Sequence, residues 1–96
     1  MAEPYDSAPA NFTPAAGSLT AQAATVFAAN AKRRGVIVSN NSDTVMTLGV
    51  GETGTADVGI AIPAGTAIAM KGNHCPTGLL SLFCAGTAKK YSAYQW

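Results

Sequence analysis

His74, Cys75 and Cys84 are the residues of this 96-residue chain whose types most readily carry chemistry. An imidazole and two thiols can ligate zinc or support thiol catalysis. Their spacing argues against both uses. Adjacent side chains on extended backbone point opposite ways, so His74 cannot easily serve Cys75 as its base. Eight residues separate Cys75 from Cys84, which matches no usual structural zinc pattern, and a fourth ligand would have to come from a distant acid. Both cysteines read as free thiols, since two cysteines do not make a disulfide framework.

The remaining chemistry-bearing residues are sparse. The chain has five acids, and Asp43, Glu52 and Asp57 of the body all fall in or beside turns, where carboxylates bond to backbone or water. No paired-carboxylate arrangement for glycoside hydrolysis emerges. The glycines form neither a dinucleotide fingerprint nor a phosphate loop. Lys32-Arg33-Arg34 is the densest charge, and with Lys89-Lys90 it could form a phosphate-binding patch, but a net charge of +1 is low for a nucleic-acid binder. This basic turn reads either as solvated or as a pairing site for an acidic partner. Tyr91, Tyr94 and Trp96 end the chain; alternation puts Tyr94 and Trp96 on one strand face and Tyr91 on the other, in packing, an interface or a sugar platform. No catalytic, metal or cofactor site is expected, and the chain reads as a non-enzyme.

The elements that position these residues are short β-runs separated by turn residues. Strands are expected near 24–29, 34–40, 44–50, 58–62, 66–70, 79–84 and 91–96, about seven in all. Asn40-Asn41-Ser42-Asp43 suggests a hairpin turn between the second and third, and Pro63-Ala64-Gly65 one between the fourth and fifth. Met46, Leu48 and Val50 share one face, as do Val58, Ile60 and Ile62, while Ile68 and Met70 point inward. The 79–84 run is nearly continuously apolar and reads as buried on both faces. The fold class is therefore all-β: a small antiparallel β-sandwich or jelly-roll-like barrel.

Residues 1–18 differ in composition from the body, 19–96. Pro4, Pro9 and Pro14 recur every five residues among alanines, which disfavours a helix or central strand and suggests an extended arm. Tyr5 and Phe12 lie in it, and a segment without a core would bury them against something else. Residues 1–31 hold Glu3 and Asp6 and no base, whereas the body carries six bases and three acids. An acidic arm and a basic body suit attraction to another copy or to an acidic partner.

Size and composition set the outer limits. One thin-cored domain is all that 96 residues support. Only 11% of residues are charged, against about 25% in typical soluble domains, a surface suited to a subunit covered by neighbours. The Met1-Ala-Glu-Pro-Tyr-Asp start has no basic region leading into an apolar core, and the longest apolar stretch falls well short of the ~20 residues a spanning helix needs. Use without export and without a membrane is the expectation.

Asn30-Ala-Lys-Arg33-Arg34-Gly35 running into a β-branched strand, the Asn40-Asn-Ser42-Asp43 turn, Ile62-Pro63-Ala64-Gly65, Pro76-Thr77-Gly78 and a Tyr-x-Ala-Tyr-x-Trp ending follow one another in an ordered series. In that order they resemble small tailed-bacteriophage structural proteins built on a compact β-sandwich. The resemblance covers about residues 30–96 and leaves the arm unmatched. It implies a virion component assembled in the host cytoplasm, most plausibly a capsid decoration or cement protein. Its partners would be the major capsid protein and copies of itself, with a trimer implied by the local three-fold positions such proteins occupy. Lys32, Arg33 and Arg34 would then be docking contacts, Tyr5 and Phe12 arm anchors, and Tyr94 and Trp96 interface aromatics. The alternative is a tail, fibre or receptor- or carbohydrate-binding module, with the loops at 51–56 and 71–77 and the aromatic strand as its site.

Overall fold

The computed structural model describes residues 12–20, 23–51 and 59–96. Eight strands fill this span: β1 Thr13–Leu19, β2 Ala24–Phe27, β3 Gly35–Asn40, β4 Met46–Val50, β5 Ile60–Ile62, β6 Ala67–Lys71, β7 Leu80–Phe83 and β8 Lys89–Gln95. They form two four-stranded antiparallel sheets, ordered β1-β8-β3-β6 and β2-β7-β4-β5. The first strand pairs with the last, the second with the seventh, the third with the sixth, and the fourth with the fifth. The chain is thus one long hairpin rolled up, and β3–β8 and β4–β7 pairing seals the roll. This is the eight-stranded jelly roll.

Seven expected strands lie close to where sequence alternation puts them, but the expected hairpins do not form. β3 and β4 lie in different sheets, as do β5 and β6. The turns are real and serve as corners between the sheets. Asn40 is fully buried, and its amide donates to the carbonyls of Thr44 and Ile62, both at 2.8 Å. Its Oδ1 accepts from the Ser42 amide and hydroxyl. At the second corner the Thr66 amide closes on the Pro63 carbonyl at 3.2 Å, with Gly65 at φ 73° supplying the left-handed turn residue. The 42–44 corner is irregular, and both edges of β3 are taken by β6 and β8.

The eighth strand, β1, falls within the arm expected from the sequence. Residues 13–18 pair along β8, so the boundary expected at 18 lies inside a strand of the body. Pro14 is tolerated because β1 is an edge strand, where a missing N–H breaks no interior ladder.

Between the sheets lie Leu19, Val36, Val38, Met46, Leu48, Ile62, Leu80 and Leu82, each at most 1% exposed. Burial of each such side chain contributes about 1.5–3 kcal/mol. Central β7 is buried on both faces over Leu80–Leu82, as its continuous apolar run predicts. Tyr91 and Ala93 of β8 face this core, which turns Tyr94 outward.

Candidate interaction surface

Period-two alternation and the strand register together define the outer face of the β1-β8-β3-β6 sheet. Pro14, Tyr94, Ile37 and Ala69 form one row across its four strands. Ala16, Ser92, Ser39 and Ala67 form the next. At the end of the sheet the Phe12 ring packs edge-on to Tyr94, with centroids 6.1 Å apart, and tilted against Trp96 at 4.9 Å. Phe12, Tyr94 and Ile37 remain 46%, 48% and 36% exposed. Neither row carries a charge, and Lys71 and Lys90 mark the ends of the face. The face thus presents an open area of aromatic, aliphatic and small side chains to solvent.

Trp96 is held in place at both main chain and side chain. Its carbonyl accepts from the amides of Arg34 at 2.6 Å and Gly35 at 3.1 Å, and its own amide donates to the Gly35 carbonyl at 3.0 Å. A Cβ at Gly35 would lie within the indole ring, so the ring covers the glycine of the neighbouring strand. Phe12, expected to need an external partner, packs instead on aromatic rings of its own chain. Tyr5 lies outside the described residues.

Arg33, expected as an exposed docking cation, is only 4% exposed. Its Nε donates to Gln95 Oε1 at 2.7 Å, Nη1 to the carbonyls of Pro76 and Gly78 at 2.8 and 2.9 Å, and Nη2 to the Ala28 carbonyl at 2.8 Å. The guanidinium carbon also lies 5.9 Å from the centre of the Phe27 ring. Burial lowers the Arg33 pKa from its ordinary value, while the planar fork satisfies several carbonyls at once. Arg33 therefore plugs one end of the sandwich, tying the exit of β2 and the entry to β7 to Gln95 of β8. Lys32 and Arg34 are exposed. A dense basic run gave no local sign that its middle member turns inward.

The thiols and imidazole do not converge on a reaction centre. Cys75 and Cys84 are free, Cys84 is buried, and its thiol donates weakly toward the Val45 and Ala85 carbonyls. Burial raises the pKa of both thiols, opposite to what a nucleophilic cysteine needs. Among the described residues no group of three or more His, Cys, Asp or Glu could hold a metal. His74 lies exposed in the short 3-10 turn Gly72–His74. With Cys75 it borders an open cavity of about 370 Å³ whose walls include Leu48, Val50, Ile60 and Met70. No helix among the described residues is long and apolar enough to cross a membrane.

No protein-family model, curated protein or solved structure matches this chain.

Proposed function

We propose that this chain is a non-enzymatic structural protein of a tailed-bacteriophage particle, a capsid decoration or cement protein that bridges major capsid subunits. The observation that carries the reading is the uncharged outer row Pro14–Tyr94–Ile37–Ala69 beside Phe12. A rigid sheet face of this kind gains free energy by being covered, and a protein that binds only the assembled lattice stabilises it by mass action. The ordered turn series that resembles phage structural proteins supports the same reading. So does the jelly roll, an architecture of viral capsid domains, although fold by itself does not imply function. Trimers on the outer surface of the head are the arrangement proposed, with the major capsid protein and other copies as partners.

The test is binding to expanded capsids stripped of accessory proteins. Full-length protein is expected to bind and to raise their melting temperature, and Tyr94→Ala and Ile37→Asp to lose both effects while remaining folded. Failure of the unaltered protein to bind would overturn the decoration reading. The half-exposed Tyr94 ring also favours a second reading, a tail or fibre module that takes sugars on aromatic faces. Glycan binding abolished by Tyr94→Ala, in a protein that ignores capsids, would establish that alternative.

A further inference from the structure

An open jelly roll leaves four sheet edges, and natural sheets guard such edges against strand addition. Here β1 carries Pro14, β2 has a register shift between Thr25 and Phe27, and β5 is only three residues long. Among the described strands only β6 ends a sheet as a regular, proline-free run, Ala67–Lys71, with its one charge at the last position. Which of its residues reach the open side follows from its bonds to β3. The Gly72 amide donates to the Arg34 carbonyl at 3.0 Å, and the Asn40 amide to the Thr66 carbonyl at 2.8 Å. Bonded pairs recur every two residues in an antiparallel ladder, so Ile68 and Met70 bond to β3, while Ala67, Ala69 and Lys71 turn their main-chain groups outward. All three are exposed.

We infer that two copies of this chain join edge to edge through β6, antiparallel about a two-fold axis at Ala69, so that their two β1-β8-β3-β6 sheets become one. The edge itself selects this occupant. A second copy brings the same four edges, three of them guarded, so the strand it offers is its own β6. The outward groups are self-complementary: with Ala69 facing Ala69, each Ala67 faces Lys71 of the other copy, and every outward amide and carbonyl on both strands gains a partner. An axis on any other residue of the strand sets at least one of the three against the Gly65 turn or the Gly72–His74 turn, where the backbone is not extended. Charge agrees. In this register the two Lys71 residues lie about 14 Å apart along the strands, each opposite an alanine, whereas an axis on Lys71 would bring the two ammonium groups face to face. On the inner side Ile68 lies opposite Met70 of the other copy, at the closer spacing of a non-bonded pair. Both are only half-buried within one copy, and Met70 also borders the open cavity of about 370 Å³, so the contact supplies apolar cover that these side chains lack. The axis is normal to the sheet. Both copies therefore turn the Pro14–Tyr94–Ile37–Ala69 row to the same side, and the two rows run on through Ala69. The contact is isologous and closes at two copies. It stands apart from what the outer face binds, and it can link one trimer to the next.

Cysteines placed along the edge of the full chain test the register. Ala69→Cys, oxidised mildly, is expected to give a dimer linked 69 to 69, because facing residues of a bonded pair lie about 5.5 Å apart at Cα, within disulfide reach. A mixture of Ala67→Cys and Lys71→Cys chains should give the 67-to-71 link, and Ala67→Cys alone should stay unlinked at that position. Peptide masses after digestion separate these products from any link to Cys75 or Cys84. Absence of the 69-to-69 link would overturn the inference, and is also the result expected if another segment of the chain or another partner holds the edge. A 67-to-67 link as abundant as the 69-to-69 one would overturn it too. One strand per copy is a small contact, of the weak class below about 1,200 Å², so sedimentation is run over a wide concentration range. Ala69→Pro deletes an amide that faces the open edge in each copy and leaves the β3 ladder bonded. It should weaken self-association by about tenfold or more, and an unchanged association constant in a folded Ala69→Pro protein would overturn the edge contact.

Discussion

The indole of Trp96 occupies the space that a side chain at Gly35 would need. Two main-chain bonds between these residues hold the C-terminal residue on β3, so the aromatic end of the outer face is built by a glycine one strand away. We expect Gly35→Ala to cost about 1–3 kcal/mol through overpacking. In a Trp96→Ala background the same change should cost under about 0.5 kcal/mol, giving a coupling above about 0.5 kcal/mol in a double-mutant cycle by urea denaturation. Additive costs would mean that the ring does not depend on the glycine.

Arg33 should behave as a core residue despite its charge. Arg33→Ala leaves the Ala28, Pro76 and Gly78 carbonyls and Gln95 without their donor, and we expect a loss of about 3 kcal/mol or more. Arg33→Lys should recover only part of that loss, because an ammonium cannot reproduce the fork. Lys32→Ala, on the exposed neighbour, should stay within about 0.5 kcal/mol. Chemical denaturation of the three variants checks the ranking.

Asn40 stitches a corner from inside. Asn40→Ala strips partners from the Thr44 and Ile62 carbonyls, and a loss of about 2–3 kcal/mol is expected. Asn40→Asp should be worse than neutral at pH 7, since the two donated bonds become two facing acceptors. Thermal unfolding of both variants reads this.

Asp43 lies on the surface 2.6 Å from the Lys89 ammonium. That hydrogen bond, followed by one from Thr44, lowers its pKa below the ordinary carboxylate value of 3.8. A carboxyl with a depressed folded-state pKa adds stability that is present above the unfolded pKa and lost as pH falls through the folded one. A carboxyl-carbon titration by NMR should therefore find Asp43 below 3.8, and Lys89→Met should return it toward that value. An unshifted Asp43 would remove the pair from the account of this corner.

Thiol reactivity should differ between the cysteines. Cys84 is buried beneath the sheet while Cys75 is half-buried at the cavity, and burial raises the pKa of both. In native protein at pH 8, alkylation of Cys75 is expected to be slow and that of Cys84 slower, with both becoming fast in urea. Mass spectrometry of the labelled peptides gives the two rates.

Much of the local structure was legible in the residues. Period-two alternation grouped Met46, Leu48 and Val50 on one face, of which Met46 and Leu48 are buried while Val50, at the strand end, is exposed; it also put Tyr91 and Tyr94 on opposite faces of β8 and found the continuous apolar strand β7. Turn chemistry located the Asn40 and Pro63–Gly65 corners. These signals are local, because side-chain direction and turn conformation depend on a few neighbouring residues.

Partnership was a different matter. Whether a turn closes a hairpin or carries the chain to another sheet depends on which strands compete for an edge. β3 is flanked by β6 and by β8, whose paired residues lie more than fifty positions along the chain. Thr13–Leu19 has a poor strand composition and becomes β1 only because β8 offers it an edge. Arg33 turns inward because its acceptors Pro76, Gly78 and Gln95, from 43 to 62 positions away, meet around it. The sequence by itself thus determined an all-β chain with its inward and outward faces. Tertiary structure decided the rolled topology, the burial of Arg33 and the assembly of Phe12, Tyr94 and Ile37 into one face, because each depends on pairing between segments distant along the chain.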